Sequence, residues 1–152
     1  NEMIKKIFYT LTIFLFLTSC GYQPLISKNT NFTLKLIELG GNTKVNYIIK
    51  NKLKIYEEEN SKYNLEILNS EINKIVTSMD TKGNPKTYQL TVNLFINLKD
   101  KSNLIIEDKN FNSKINYNTL SSKFDQKNYE QNLVENLTEK ISDEIILYIQ
   151  TL

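Results

Sequence analysis

Apolar residues recur with a period of two in four stretches of the chain, which predicts four β-strands. The third stretch is the clearest, because every second residue from Tyr88 to Leu98 is apolar. The second changes phase near Asn69 and Ser70, so we expect a bulge or a bend there. The predicted strands cover 32–39, 63–79, 88–98 and 104–117.

Apolar residues spaced by three and four predict two amphipathic helices. The first follows Gly40 and Gly41, is capped by Asn42 or Thr43, and has about four turns. The second starts from Asp125 as its N-cap and runs to the end of the sequence. Their apolar stripes are Val45, Ile48, Ile49, Leu53 and Tyr56 in the first helix, and Leu133, Leu137, Ile141, Ile145 and Tyr148 in the second.

The resulting element order, β-α-β-β-β-α, predicts an α+β fold. Turn-forming residues at 80–85 and 100–103 join the last three strands as hairpins. Each helix and the sheet have one apolar face to bury, and the simplest arrangement is a two-layer sandwich with two amphipathic helices packed on a four-stranded sheet. We assign residues 32–152 to this single domain.

The residues ahead of this domain have the pattern of a secretory signal. Lys5 and Lys6 precede an apolar run that ends at Leu17 and is too short to span a bilayer. Met3 is the more natural start of such a signal. The alternative, an N-terminal transmembrane helix, is disfavoured by the length of the run and by the cysteine that follows it at Cys20.

Cys20 is the sole cysteine and directly follows Leu-Thr-Ser at the expected cleavage point. A lone cysteine cannot form an internal disulfide, whereas bacteria attach lipid to a cysteine in this position. We therefore predict a cleaved signal peptide at 1–19 and a lipidated tether at 20–31. Cys20 carries a covalent diacylglycerol and an N-acyl chain, and Gly21 beside it favours sorting to the outer membrane.

Composition excludes several chemistries. The chain has no histidine, so a Ser-His-Asp triad and histidine-based zinc sites are ruled out. Adjacent carboxylates such as Glu107 and Asp108 point to opposite faces of a strand, and no glycine-rich phosphate loop is present. We therefore expect no enzyme activity, no metal and no cofactor beyond the lipid. A net charge of +2 argues against a nucleic-acid partner.

The element order and the residues after the predicted cleavage site resemble the LPS-assembly lipoprotein family (LptE). Members begin with a Cys-Gly-aromatic-x-Pro-Leu pattern, which here is 20–25. A middle turn leads into a Tyr-x-Leu strand, here 88–90, and the fourth strand ends in a Tyr-Asn pair, here Tyr117 and Asn118. The resemblance covers the chain from the signal onward.

This resemblance implies a non-enzymatic lipoprotein of the outer membrane, anchored by its lipid on the periplasmic side. Such proteins plug an LptD-type outer-membrane β-barrel, assist its assembly and help it deliver lipopolysaccharide to the cell surface. A plug needs a polar exterior, which the asparagines of the third and fourth strands supply, although ordinary solvent exposure explains them equally well. These asparagines are Asn93, Asn97, Asn112 and Asn116.

Some members of that family bind lipopolysaccharide through basic residues in loops at one end of the sheet. The corresponding residues here are Lys74, Lys82 and Lys86, around the turn between the second and third strands. They could neutralise lipid phosphates, or they could be ordinary solvated lysines. The chain has lysine where arginine is common in the family, notably at Lys86, and lysine lacks the bidentate fork of arginine.

Two other functions fit the sequence. One is an auxiliary lipoprotein subunit of another envelope lipid transporter. The other is a periplasmic hydrolase inhibitor or similar binding module, for which 80–86 is the available protruding loop.

Overall fold

The structure is a computed structural model and describes residues 32–152, which lie in one compact unit. The predicted signal peptide at 1–19 and the lipidated tether at 20–31, including Cys20, lie outside the described residues. The observed element order confirms the predicted α+β fold. The elements are β1 (Leu34–Leu39), α1 (Thr43–Leu53), a 3₁₀ turn (Lys54–Tyr56), β2 (Tyr63–Met79), β3 (Pro85–Lys99), β4 (Ile105–Asn118) and α2 (Lys123–Gln150).

The four strands form one mixed sheet in the order β1-β2-β3-β4. β1 runs parallel to β2, and the other pairs are antiparallel. Parallel strands need a crossover connection, and α1 supplies it. The two hairpins β2–β3 and β3–β4 make up the rest of the sheet, as the turn signals predicted.

Both helices pack on one face of this sheet and enclose the core. Alternate residues of β3 face the helices and are buried, which confirms the alternation seen in the sequence. α2 contributes its predicted stripe, although two buried positions are the hydroxyl residues Thr138 and Ser142. Each hydroxyl donates to the carbonyl oxygen four residues earlier, so neither polar group is left unsatisfied.

The predicted change of phase in β2 is a β-bulge. The pairing with β3 shifts between Ile67 and Asn69, and Leu68 between them is 51% exposed. Beyond the bulge Ser70 faces the core, and its hydroxyl donates to the Asn46 side chain at 2.8 Å. Both side chains are buried, so this bond fixes α1 against β2.

The first helix is shorter than predicted. Asn42 caps it as expected, accepting from the backbone N–H groups of Lys44 and Val45. The α-helix ends at Leu53 after 11 residues, not after about four turns, and the 3₁₀ turn carries the chain to Tyr56. The tighter turn lets the Tyr56 ring stack on Phe32 at 5.1 Å.

One further sequence expectation is wrong in detail. The N-cap of α2 is Ser122 rather than Asp125, because a cap side chain accepts from the third helical N–H, and here that N–H belongs to Asp125. Ile115 lies on the same side of β4 as the buried Phe111 and Tyr117, but it is 38% exposed. β4 is an edge of the described sheet, so Ile115 has no strand beyond it to cover its outer side.

The second helix lies along β4 and is fixed to it near both ends. Near its N-terminus Glu130 accepts a hydrogen bond from Tyr117, and near its C-terminus Tyr148 donates to Glu107. Burial and the hydrogen bond to Glu107 raise the pKa of Tyr148 to about 12. In residues 32–152, neither helix combines the length and the apolarity needed to cross a bilayer.

Gly40 and Gly83 provide a matched test of backbone packing. A Cβ at Gly40 would lie 2.2 Å from the carbonyl oxygen of Leu68, whereas one at Gly83 would meet nothing within 4 Å. Gly40→Ala should therefore lower the free energy of unfolding by about 2–4 kcal/mol. Gly83→Ala should cost only the left-handed backbone penalty, about 1 kcal/mol. Urea denaturation measures both, and equal losses would contradict the close approach at the bulge.

Candidate functional site

The turn between β2 and β3 is a well-built hairpin end. The Asp80 carboxylate accepts from the backbone N–H groups of Lys82 and Asn84, both at 2.8 Å. These bonds, led by the one from Asn84, lower the pKa of Asp80 below its ordinary value. Gly83 takes the left-handed conformation that closes the turn, at φ 82°. The turn thus has a defined shape, as its sequence predicted.

The structure separates the three predicted lipopolysaccharide-binding lysines into two environments. Lys82 lies in the turn and Lys86 is the second residue of β3, and both are exposed. Lys74 pairs with Leu90 in the sheet, which places it about 13 Å along the strands from Lys86. The binding role of all three remains a prediction.

Lys74 has an internal partner. Its ammonium lies 2.5 Å from the Glu130 carboxylate and 4.1 Å from the centre of the Tyr88 ring. Both contacts engage the Lys74 ammonium within the protein. An external anion would have to compete with the Glu130 carboxylate and the Tyr88 ring for that ammonium. Lys82 and Lys86 therefore form the accessible part of the predicted site.

Glu130 is the centre of a polar cluster that joins α2 to the sheet. Its Oε1 atom accepts from Lys74 of β2, Tyr117 of β4 and Gln126 of α2. Gln126 also accepts from the backbone N–H of Leu120 at 2.6 Å, which fixes the loop before the helix. We call Lys74, Tyr117, Gln126 and Glu130 the carboxylate cluster.

The carboxylate cluster shifts the pKa values of its members in opposite directions. Burial alone would raise the pKa of Glu130, but the hydrogen bonds from Lys74, Gln126 and Tyr117 outweigh it and lower that pKa. Burial and the bond to Glu130 raise the pKa of Tyr117 well above its ordinary value. The cluster therefore holds Glu130 charged and Tyr117 neutral at physiological pH.

Sequence reasoning missed this cluster. Gln126 and Glu130 are four residues apart, one turn before the buried Leu133 and Val134. They lie on the same side of α2 as its apolar stripe, toward the N-terminus of the helix. Polar residues in such positions indicate a hydrogen-bond partner on another element. The partners themselves come from β2 and β4, and periodicity within one element cannot identify them.

The sheet face away from the helices carries many side-chain amides. Residues paired across neighbouring strands project on the same side of a sheet, so the partners of Gln89, Asn93 and Asn97 share this face with them. We call it the amide face. Its amide residues are Asn69, Asn73, Gln89, Asn93, Asn97, Asn110, Asn112 and Asn116, and Asn64, at the end of the same side, contacts the β3–β4 turn instead.

The amide face is polar and also carries charged residues, among them Glu71 opposite Asn93 and Lys114 opposite Thr91. Gln89 donates to Asn116 at 3.0 Å, and Asn97 donates to Glu66 at 3.1 Å. Glu66 is also paired with Lys99 at 2.9 Å, and the hydrogen bonds from Lys99 and Asn97 lower its pKa. The four asparagines singled out in the sequence all lie on this face.

In residues 32–152, no group of three or more potential ligands is placed to hold a metal ion. The amides, hydroxyls and lysines described above can donate hydrogen bonds and neutralise anions. The described surface thus has two polar parts, the amide face and a lysine-bearing hairpin end.

The fold is shared with solved structures of bacterial lipoproteins. Rare lipoprotein B from Shewanella oneidensis matches with a TM-score of 0.64 at 11% identity, over 78% of this chain and 94% of that one. An uncharacterized lipoprotein B from Nitrosomonas europaea matches with a TM-score of 0.64 at 13% identity, over 82% and 86% of the two chains. A minor lipoprotein from Acinetobacter baumannii matches with a TM-score of 0.59 at 15% identity, over 84% and 94%.

No protein-family model and no curated protein sequence matches this chain. At the identities just given, the solved structures establish a common fold. The chain therefore has the α+β sandwich found in these bacterial lipoproteins.

The carboxylate cluster should contribute measurably to stability. Glu130→Gln should lower the free energy of unfolding by about 1–2 kcal/mol at neutral pH, because a partly buried charged acceptor is lost and Lys74 loses its ion-pair partner. Glu139→Gln is the control. It makes the same change at an exposed position of α2 and should cost less than about 0.5 kcal/mol.

The same cluster should make stability depend on pH in the acid range. Because the pKa of Glu130 in the folded protein lies below its ordinary value of 4.5, its contribution is present above that value and is lost as the pH falls through the folded-state pKa. Urea unfolding of the wild type and Glu130→Gln, measured from pH 7 down to pH 3, should therefore converge. A constant difference between them would contradict the role assigned to Glu130.

Proposed function

We propose that this protein is an outer-membrane lipoprotein, acylated at Cys20, that plugs a large lipopolysaccharide-exporting β-barrel and assists its assembly. It acts by binding and has no catalytic role. Its lipid holds it on the periplasmic side of the membrane. The partner is an LptD-type β-barrel.

The observation that carries this proposal is the fold common to this chain and solved bacterial lipoproteins, which extends over most of both chains. The sequence adds the cysteine at a signal-cleavage position and the Cys-Gly-Tyr-Gln-Pro-Leu segment at 20–25. A fold alone supports many functions, so the assignment needs a surface that suits the partner.

The amide face suits the inside of a wide barrel. A barrel of many strands encloses a polar, water-filled lumen, and its wall presents polar side chains of both hydrogen-bonding types. An amide both donates and accepts, so the amides of this face can pair with such a wall without requiring matched charges. Burying amides in this way is less costly than burying free carboxylates or ammonium groups.

The β2–β3 hairpin supplies the complementary lipid contact in this proposal. Lys82 and Lys86 lie at its exposed end, where they can neutralise phosphate groups of lipopolysaccharide. The carboxylate cluster fixes the position of the strand that leads into this hairpin, because the ion pair of Lys74 with Glu130 joins β2 to α2. Lys74 then acts on the lipid through the position of the hairpin and not through direct contact.

Co-purification tests the proposed partner. The chain carrying a C-terminal affinity tag, isolated from detergent-solubilised outer membranes of its native cells, should bring down one large heat-modifiable β-barrel protein. Mass spectrometry identifies it. Recovery of permease or ATPase subunits in its place would favour the alternative role as an auxiliary subunit of another lipid transporter.

Lysines introduced on the amide face should weaken that complex. The double variant Gln89→Lys with Asn112→Lys buries two charges against the barrel wall at positions that pair with no carboxylate across the strands, and we expect at least about a tenfold loss of recovered partner. The control is Asn132→Lys with Asn136→Lys, which places the same charges on exposed positions of α2. Equal recovery in both variants, with unchanged melting temperatures, would contradict docking through the amide face.

Lipid attachment has its own test. Cells grown with labelled palmitate should incorporate it into the wild-type chain, and the Cys20→Ser variant should remain unlabelled and keep its signal peptide. Intact-mass measurement of the purified protein checks both. An unlabelled wild-type chain would refute the anchor.

A further inference from the structure

Exposed apolar side chains gather at the end of the domain opposite the β2–β3 turn. The turn between β3 and β4 presents Leu104, Ile105 and Ile106, which are 66%, 59% and 47% exposed. Ile55, in the 3₁₀ turn after α1, is 71% exposed. The described chain also begins at this end, because Phe32 stacks on the neighbouring Tyr56.

A polar pocket of about 230 Å³ lies beside these apolar residues. Lys101 belongs to the same β3–β4 turn, and its ammonium lies 3.4 Å from the Asn60 side chain. Asn64 of β2 donates to the Asp100 carbonyl oxygen at 3.3 Å, which holds this turn against the pocket. The polar residues lining the pocket are Lys35, Glu59, Asn60, Ser61, Asn64 and Lys101.

The charges of this pocket suit a zwitterionic headgroup. Lys35 on β1 and Lys101 in the β3–β4 turn supply two cations, and Glu59 supplies one carboxylate. Among the described residues, no carboxylate oxygen lies within 4.0 Å of the ammonium of Lys35 or Lys101. Lys74 and Lys99, in contrast, each form an ion pair. The hydroxyl of Ser61 and the amides of Asn60 and Asn64 add neutral donors, so a phosphate and an ammonium group can both be satisfied.

We propose that this end of the domain rests on a phospholipid surface and that the pocket binds a phosphoethanolamine headgroup. The phosphate meets Lys35 and Lys101, and the ammonium meets Glu59. Leu104, Ile105 and Ile106 then lie at the boundary between headgroups and acyl chains. Apolar side chains at the same end of the domain as a polar headgroup site match the layered chemistry of a bilayer interface.

The tether is consistent with this orientation. Phe32 lies twelve positions after Cys20, a reach of at most about 42 Å in a fully extended chain. An acyl chain on Cys20 would therefore hold the Phe32 end of the domain near the leaflet in which that lipid sits. Only this argument from the tether rests on the proposed function, because it requires lipid attachment at Cys20. The headgroup site can be tested without it.

Vesicle co-sedimentation tests the headgroup site. The chain from position 20 with Cys20→Ser carries no lipid of its own, so any binding comes from the protein surface. It should sediment with vesicles of equimolar phosphatidylethanolamine and phosphatidylcholine at least about threefold better than with phosphatidylcholine alone, because only the primary ammonium can donate hydrogen bonds to Glu59. No preference between the two vesicles would overturn the headgroup assignment.

Variants separate the pocket from general surface charge. Lys35→Gln with Lys101→Gln should reduce binding to the mixed vesicles about fivefold. The control Lys127→Gln with Lys140→Gln removes the same charge from exposed positions of α2 and should leave binding unchanged. Equal losses in both double variants would overturn the pocket.

The apolar contact has a parallel test. Leu104→Ser with Ile106→Ser should also weaken vesicle binding, whereas Phe124→Ser, at the opposite end and 72% exposed, should not. Soluble phosphoethanolamine at millimolar concentration should not displace the protein, since a free headgroup lacks the apolar layer. Full displacement would identify a soluble phosphate ligand and overturn the membrane contact.

The two proposals can fail separately. The Lys35→Gln with Lys101→Gln variant should still recover the barrel partner in the co-purification experiment. Absence of any barrel from the wild-type preparation would refute the proposed function and leave the vesicle result standing.

Discussion

The burial of one sheet face beneath two helices is the constraint on which the rest of this structure depends. The alternate residues of β3 and the stripes of α1 and α2 form a single apolar core. Because both helices are used on that side, the other side of the sheet has no covering layer among the described elements. Its side chains must be compatible with water or a polar partner, and the chain places amides there.

The polar interactions inside the fold mainly hold elements in position. Ser70 and Asn46 join α1 to β2, and Glu130 gathers partners from β2, β4 and α2. The hairpin end, the amide face and the pocket at the opposite end therefore sit on a rigid frame. In the proposed role these surfaces would face different surroundings, and such a frame would keep them at fixed relative positions.

The sequence predicted the features that depend on one element at a time. The alternation from Tyr88 to Leu98 predicted β3, and the loss of phase near Asn69 predicted the bulge. It misplaced the cap of α2, because Ser122 and Asp125 are both good caps and only the loop geometry selects between them. Sites assembled from several elements were not predictable, because the contacts of Lys74 with Glu130 and the grouping of Lys35 with Lys101 depend on tertiary alignment.

The parallel pairing of β1 with β2 has a mechanical consequence. Any tension transmitted from residues ahead of Phe32 pulls on β1 along its own axis. When β1 is pulled along its axis, the hydrogen bonds that join it to β2 are loaded in shear at the same time. They therefore do not open one after another. Bonds from Tyr63 and Lys62 to Thr33 add to this resistance at the point where the load arrives. The six-residue strand is thus arranged to resist a force applied along its axis at its N-terminal end.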